Sequence, residues 1–512
     1  MLAVVHSSAL FGVQPVPVQV EADVSHGLPS FDIVGLPGTA VREARDRVRS
    51  ALRHSGFTFP LGRLTVNLAP ADLPKGGTLF DLPIALAILQ ASGQAPGPER
   101  CAGWIVVGEL SLDGRLRPVH GALCIAAMAK TTGRTLVLPA ANRREVEAIP
   151  GVRVLSASTL KEIVAAAVHQ ASGEVTKGLF LPGGERASLE GWRAIRGQAA
   201  AKRALEISVA GGHHVMLVGP PGSGKTALAK AVEEIAPSLT PEESVEVSSI
   251  YSAAGLLDEE RPVVDRRPFR SPHPSVTGAA LLGGGRVPRP GEVSLAHKGF
   301  LFLDEFPEFD ARALEGLRGP LEEGSVVLSR AEGKCRLPAE FTLVATANPC
   351  PCGYRGDPER SCVCLPAQRR RYERRFTGPL VDRIDLFVYV ARPNAEAVLA
   401  GLDGAQDSLP FEDGVRERIL RAAGRQAARY SGGRRNRDLK PGELGRFAAL
   451  DERGRGFLHK AAQTWHLSPR SLHRVIRVAR TIADLEGEER IRADHVAEAL
   501  SFRKEACFPA GL

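Results

Sequence analysis

A strand that runs into a glycine-rich turn constrains this chain more than any other feature. His214 to Gly219 reads as a buried strand, Gly219-Pro220-Pro221-Gly222-Ser223-Gly224-Lys225-Thr226 follows, and Lys225 to Ile235 has helical spacing. The eight residues fit the P-loop pattern G-x-x-x-x-G-K-[ST] in its strand–turn–helix setting. Such a turn lets backbone N–H groups wrap phosphates at a helix N-terminus. Lys225 would reach the β/γ-phosphates and Thr226 would hold Mg2+, so ATP with Mg2+ is the expected cofactor pair.

A second apolar run, Phe300-Leu301-Phe302-Leu303, ends in Asp304-Glu305 about 80 residues after the P-loop. Asp304 can bind Mg2+ through water, and Glu305 can polarise an attacking water. Asn348 ends a third run, Phe341 to Ala347, where its amide could orient the same water. Strands and helices alternate from Trp192 to about Pro393, which predicts an α/β layer with a parallel sheet. Beyond Pro393 the spacing is helical throughout, with Ser468 expected to cap a helix over Pro469 to Glu486. Residues 1–168 form a separate block rich in Val, Leu, Ala and Gly, with helices expected over Thr39 to His54 and Asp81 to Ala91. Ala171 to Glu190 is glycine-rich and reads as a linker.

Lys plus Arg is 66 and Asp plus Glu is 58 in 512 residues, a balance of +8 that permits a polyanionic partner without requiring one. No apolar run reaches the ~20 residues of a membrane helix. Met1 to Val20 lacks a basic stretch and is interrupted by Gln14, Pro15, Pro17 and Gln19, unlike a signal peptide. A cytoplasmic protein without membrane contact is expected. Four of the eight Cys lie between Cys350 and Cys364 as C-x-C…C-x-C. Cys350, Cys352, Cys362 and Cys364 are either a tetrahedral Zn2+ site or a loop of reduced thiols. Ser325 to Phe341 alternates apolar and polar around Glu332-Gly333, as a hairpin does. Arg330, Lys334 and Arg336 on it, and the Arg-rich runs 369–375 and 425–437, are candidates for phosphate contact or plain solvated faces.

The longer motifs carry a resemblance. Gly197-Gln198 with Ala201-Lys202-Arg203-Ala204-Leu205, Arg267-Pro268-Phe269-Arg270, Pro288-Arg289-Pro290-Gly291-Glu292 and Ala347-Asn348-Pro349-Cys350-Pro351-Cys352-Gly353 look like the magnesium-chelatase-like AAA+ ATPases. The chain is most similar to the YifB/ComM family, over nearly its whole length. The resemblance implies an α/β multidomain chain. Its parts would be a Lon-protease-like (S5-like) domain over 1–170, a linker over 171–191, an AAA+ P-loop α/β domain over 192–392 with a Cys-rich insert at 350–364, and an all-α lid over 393–512. It implies an arginine finger at Arg383, within Gly378 to Asp385, and a second sensor at Arg470. It further implies a homohexameric ATP-driven helicase on single-stranded and branched DNA, promoting branch migration in recombination and natural transformation.

The first domain resembles a Lon protease without its chemistry. Aligned on Asp81 and Pro83, the nucleophile position holds Ile84; aligned on Gly114 and Pro118, the lysine position falls near Leu123. Neither side chain can attack a carbonyl or take a proton, so an inactive, structural or nucleic-acid-facing domain is expected. Two other classes stay in competition: the motor subunit of a metal chelatase, and an ATP-dependent protease.

Overall fold

The computed structural model describes residues 2–178, 188–257, 260–285, 287–330, 333–357, 359–376, 380–392 and 414–503. In the first unit, Leu2–Phe11 and Gln14–Ser25 form a long antiparallel hairpin. Arg63–Ala69 joins it antiparallel, and Ser30–Val34 adds a parallel edge. Helix Thr39–His54 turns Val41, Ala44, Val48, Ala51 and Leu52 inward, a stripe at helical spacing. Helix Asp81–Ala91 is buried on all sides. A second four-stranded sheet follows, built on Trp104–Val106, Thr135–Pro139 and Arg153–Ala157. Within the expected linker, Glu174–Val175 is an edge strand on Arg153–Ala157. Thr176 then ties the chain back, donating to the Ile149 carbonyl at 2.5 Å and accepting from the Val152 amide at 2.9 Å. The rest of that linker, 179–187, lies outside the described residues.

The second unit is a five-stranded sheet in the order Phe269–Arg270, Phe300–Leu303, Thr342–Ala347, Val215–Val218, Leu386–Tyr389, and every neighbouring pair is parallel. Buried on both faces, the central strands are continuous apolar runs rather than alternating ones. The P-loop strand therefore sits inside the sheet, and the carboxyl ends of three strands deliver Gly219, Asp304 and Asn348 to one edge. The expected helix Lys225 to Ile235 divides into Lys225–Lys230 and Val232–Ile235 around Ala231.

The C-terminal helices include Val415–Arg429, Glu452–Thr464, Pro469–Glu486 and Ala493–Ser501. Ser468 caps the third of these, accepting from the Ser471 amide at 3.2 Å. The helices share one apolar core with the sheet's face and helix Ala199–Gly211, through Ile419, Ala422, Val478 and Ile482. A polar seam runs beside it. His213 meets Thr481 at 2.8 Å, Asn436 donates to Thr481 at 3.0 Å and to Asp484 at 2.8 Å, and Arg429 holds Asp484 in a fork. The boundary expected at 392/393 falls in 393–413, outside the described residues.

Among the described residues, contacts between the first unit and the second include the following three. At the tip of its long hairpin, Phe11 and Gly12 (φ +68°) press on Cys335 and Leu337, where a Cβ on Gly12 would lie 2.4 Å from the Cys335 sulfur. The Gly121 and Leu123 amides donate to Ser252 on helix Pro241–Ala254, at 2.9 and 3.3 Å. Gly76 lies against Val287, 2.8 Å from a would-be Cβ. No helix among the described residues is long and apolar enough to cross a membrane.

Candidate active site

The strand ends at the sheet's edge assemble one constellation. Lys225, the first residue of its helix, folds back to donate to the Gly219 and Pro220 carbonyls at 2.7 and 2.9 Å and to Asn348 Oδ1 at 3.3 Å. Burial draws the Lys225 ammonium down to about 8, against the pull of Asp304 and Glu305. It still carries its proton at neutral pH. Thr226 Oγ1 lies 3.2 Å from Asp304 Oδ2, while Thr346 Oγ1 donates to Asp304 Oδ1 at 2.5 Å. Thr346 thus fixes the carboxylate and turns its second oxygen toward Thr226. A hydroxyl and a carboxylate oxygen at this separation are the hard donors that Mg2+ takes. Glu305 is exposed and sits in the left-handed region at φ 53°, with its amide bonded to Thr346 at 3.1 Å. Backbone strain of this kind collects where a side chain must be aimed.

Arg383 and Arg470 stand elsewhere. Arg383 pairs with Glu322 Oε1, and Arg470 reaches the same oxygen at 3.1 Å. The structure therefore groups Lys225, Thr226, Asp304, Glu305 and Asn348 in one place and the two arginines in another. Gly378 and Pro379, expected beside the finger, lie outside the described residues.

The Cys-rich segment abuts the P-loop. Gly353, at φ +85°, faces Pro221 so closely that a Cβ would come within 2.5 Å of the proline Cδ. The four sulfurs lie within 4.8 Å of one another. Cys350 is 3.4 Å from Cys352 and 3.6 Å from Cys362, and Cys352 is 3.6 Å from Cys362. A tetrahedral Zn2+ with Zn–S bonds of about 2.3 Å needs sulfurs about 3.8 Å apart, so the donor set fits.

The basic segments divide. Tyr372, inside run 369–375, is buried against Phe376 and donates to the Asn348 carbonyl at 3.0 Å. Within run 425–437, three arginines are held by the protein: Arg429 on Asp484, Arg434 on Glu443, and Arg437 on the Phe341 carbonyl at 2.9 Å, while Arg425 is exposed. On the hairpin Ser325–Arg330/Gly333–Pro338, Lys334 and Arg336 are exposed on one face, and Cys335 and Leu337 are buried on the other. The Arg330 side chain lies outside the described residues. Ile84 and Leu123 are fully buried. Close by, Asp81 and Arg47 form a two-bond pair at 2.7 and 2.9 Å.

Sequence reasoning missed Thr346, Glu322, Tyr372 and the Gly353–Pro221 contact. Thr346 had a readable signal, since it lies on the strand that ends in Asn348 and its hydroxyl is a polar interruption of an apolar run. The other three are tertiary partnerships without a local signature.

This sheet order, with a P-loop on an inner strand and acidic and amide groups at neighbouring strand ends, defines a P-loop protein of the AAA+ class. Family models agree. The model for magnesium chelatase, subunit ChlI, matches residues 191–398, a second for subunit ChlI of Mg-chelatase matches 20–142, and the ChlI C-terminal model matches 412–503. Competence protein ComM of Haemophilus influenzae is 41% identical over 509 residues, 98% of this chain and 97% of that one. YifB of Escherichia coli is 41% identical over 507 residues, again 98% and 97%. Lon protease 2 of Bacillus subtilis is 31% identical over 156 residues, 29% of this chain and 28% of that one. The chain belongs to the YifB/ComM family of magnesium-chelatase-like AAA+ proteins.

Proposed function

We propose that this protein is an ATPase that works as a homohexameric ring and drives unwinding and branch migration of DNA in recombination and the uptake of transforming DNA. The observation that carries the ATPase part is the Thr226–Asp304–Thr346 arrangement beside Lys225. Lys225, with the amides of Gly222 to Thr226, binds the β/γ-phosphates. Thr226 and Asp304 would hold Mg2+, which would supply positive charge against that developing on the phosphates. Glu305 takes a proton from the attacking water, and Asn348 orients that water. Arg383 and Arg470, grouped apart from this constellation, act on the nucleotide of a neighbouring chain. The four cysteines hold a structural Zn2+ that stiffens the segment resting on Pro221.

For DNA, the supporting features are the wet hairpin face with Lys334 and Arg336 and the printed name of the H. influenzae relative. The buried Ile84 and Leu123, the second beneath helix Pro241–Ala254, weigh against a protease. The chelatase-motor reading keeps the support of the family models' names.

The test is ATP turnover by the full chain with and without single-stranded, duplex and branched DNA at low salt. Lys225→Ala should abolish turnover, and Glu305→Gln should bind ATP but hydrolyse it slowly. Wild-type turnover should rise with DNA and lose that rise steeply with salt. Normal hydrolysis by E305Q would remove the catalytic assignment. Indifference to DNA, with a response to a chelatase partner, would turn the reading to the alternative.

A further inference from the structure

Glu322 accepts from two arginines on one oxygen, and nothing in the proposed hydrolysis uses it. It lies near the end of helix Arg318–Glu323. Gly324 follows at φ +63°, and the hairpin strand starts at Ser325. The Glu322 side chain is 44% exposed, that of Arg383 4% and that of Arg470 55%. Arg383 is thus a buried cation whose charge is offset by a carboxylate that solvent, or a competing anion, can reach. Burial works against the Glu322 anion, and the Arg383 and Arg470 charges nonetheless hold its carboxyl below the usual range.

The hairpin has its own bond to this point. Arg336 Nε donates to Ser325 Oγ at 2.9 Å. Only a two-residue turn separates Ser325 from Glu322, and that turn is tight. A Cβ on Gly324 would lie 2.7 Å from Glu340 Cγ. Glu323 and Gly324 alone lie between Ser325 and Glu322, so a shift at Ser325 has a short path to Glu322.

We propose that Glu322 is a positioning residue that restrains Arg383 and Arg470 together, and that a polyanion taking Arg336 from Ser325 loosens this restraint. The proposal rests on reading the two arginines as groups that meet a neighbouring chain's nucleotide. A γ-phosphate oxygen that recruits them competes with Glu322 as their acceptor. The carboxylate thereby sets how readily a ring turns over ATP before any DNA is engaged.

The experiment measures steady-state ATPase of the full chain, with and without a single-stranded oligonucleotide, for wild type, E322Q, E322D and E322Q/R383A. Removing one charge-assisted, half-exposed pair is worth roughly a factor of three to ten. E322Q should raise the DNA-free rate by about that factor and bring the ratio of rates with and without DNA toward one. E322D, whose shorter arm cannot reach both arginines, should fall between, and it serves if E322Q fails to fold. Adding R383A should take the rate below wild type, because Arg383 serves hydrolysis itself, so E322Q can gain only where Arg383 is present. A merely structural Glu322 would lower the rate, with or without DNA. A DNA-free rate in E322Q equal to or below wild type overturns the proposal. If wild type ignores DNA while E322Q still gains, the DNA reading fails and the restraint stands.

Discussion

Gly353→Ala should injure the nucleotide site from a residue outside it. Two costs are separable because the same loop offers a control. Gly353 and Gly356 both lie in the left-handed region, at φ +85° and +79°. An alanine at either place costs ~1 kcal/mol of backbone strain. A Cβ at Gly356 meets nothing within 4 Å, whereas at Gly353 it lies 2.5 Å from Pro221 Cδ and 2.7 Å from Cγ. Ordinary carbon contacts start near ~3.5 Å, so G353A needs a shift of about 1 Å. The proline ring cannot bend away, and Gly353 is held by its amide's bond to the Cys350 carbonyl at 2.9 Å. The P-loop is then the part that moves. A displacement of that size at a phosphate cradle costs up to about a hundredfold in turnover. Thermal melting and ATPase assays on both variants check this. Both should melt slightly lower, and G353A alone should lose turnover. Equal turnover in G353A and G356A would refute the claim that the Cys-rich segment props the P-loop.

Other outcomes are expected elsewhere. Mutating Cys350 and Cys362 to Ser should remove about one Zn2+ per chain by elemental analysis and lower the melting temperature. Arg47→Ala leaves the buried Asp81 carboxylate without its partner and should cost about 3 kcal/mol or more in denaturant unfolding. Burial raises the Glu145 carboxyl to about 7, against its bonds to Asn142 and Ser252. A raised carboxyl binds its proton more tightly folded than unfolded, so stability should fall as pH rises from about 4.5 to 7, by up to about 3 kcal/mol. Glu145→Gln should flatten that slope. Purified protein with ATP should leave unfolded casein intact, since Ile84 and Leu123 offer neither nucleophile nor base.

What was legible depended on how local its cause was. The P-loop, Asp304 and Asn348 announce themselves because each ends an apolar strand, and a parallel sheet gathers strand ends. Helices Thr39–His54, Asp81–Ala91 and Pro469–Glu486 match the expected bounds, the last of them begun by the Ser468 cap that its own neighbouring residues spell out. The Arg-rich run 425–437 was open between a phosphate-binding face and a solvated one. Part of it is held within the protein, because Asp484 and Glu443, distant or out of phase in sequence, take Arg429 and Arg434. The helices beyond Pro393 were legible, and their packing partner was not. Helical spacing shows which face is apolar and not which partner covers it, and here the partner is the sheet itself. Glu322 was invisible for the same reason.

The contact of Phe11 and Gly12 with Cys335 and Leu337 also bears on how the chain is made. The first unit leaves the ribosome before the hairpin exists, and domains generally fold in that order. Its two-stranded tip is in place when Ser325 to Pro338 emerges, and it gives the hairpin's apolar face a surface to settle on. A polypeptide starting after residue 178 would expose that face, and the side of helix Pro241–Ala254 that receives Gly121 and Leu123, to water. Exposed apolar faces of this kind invite aggregation. The first unit, with Ile84 and Leu123 buried inside it, thereby supports the P-loop unit that follows it in the chain.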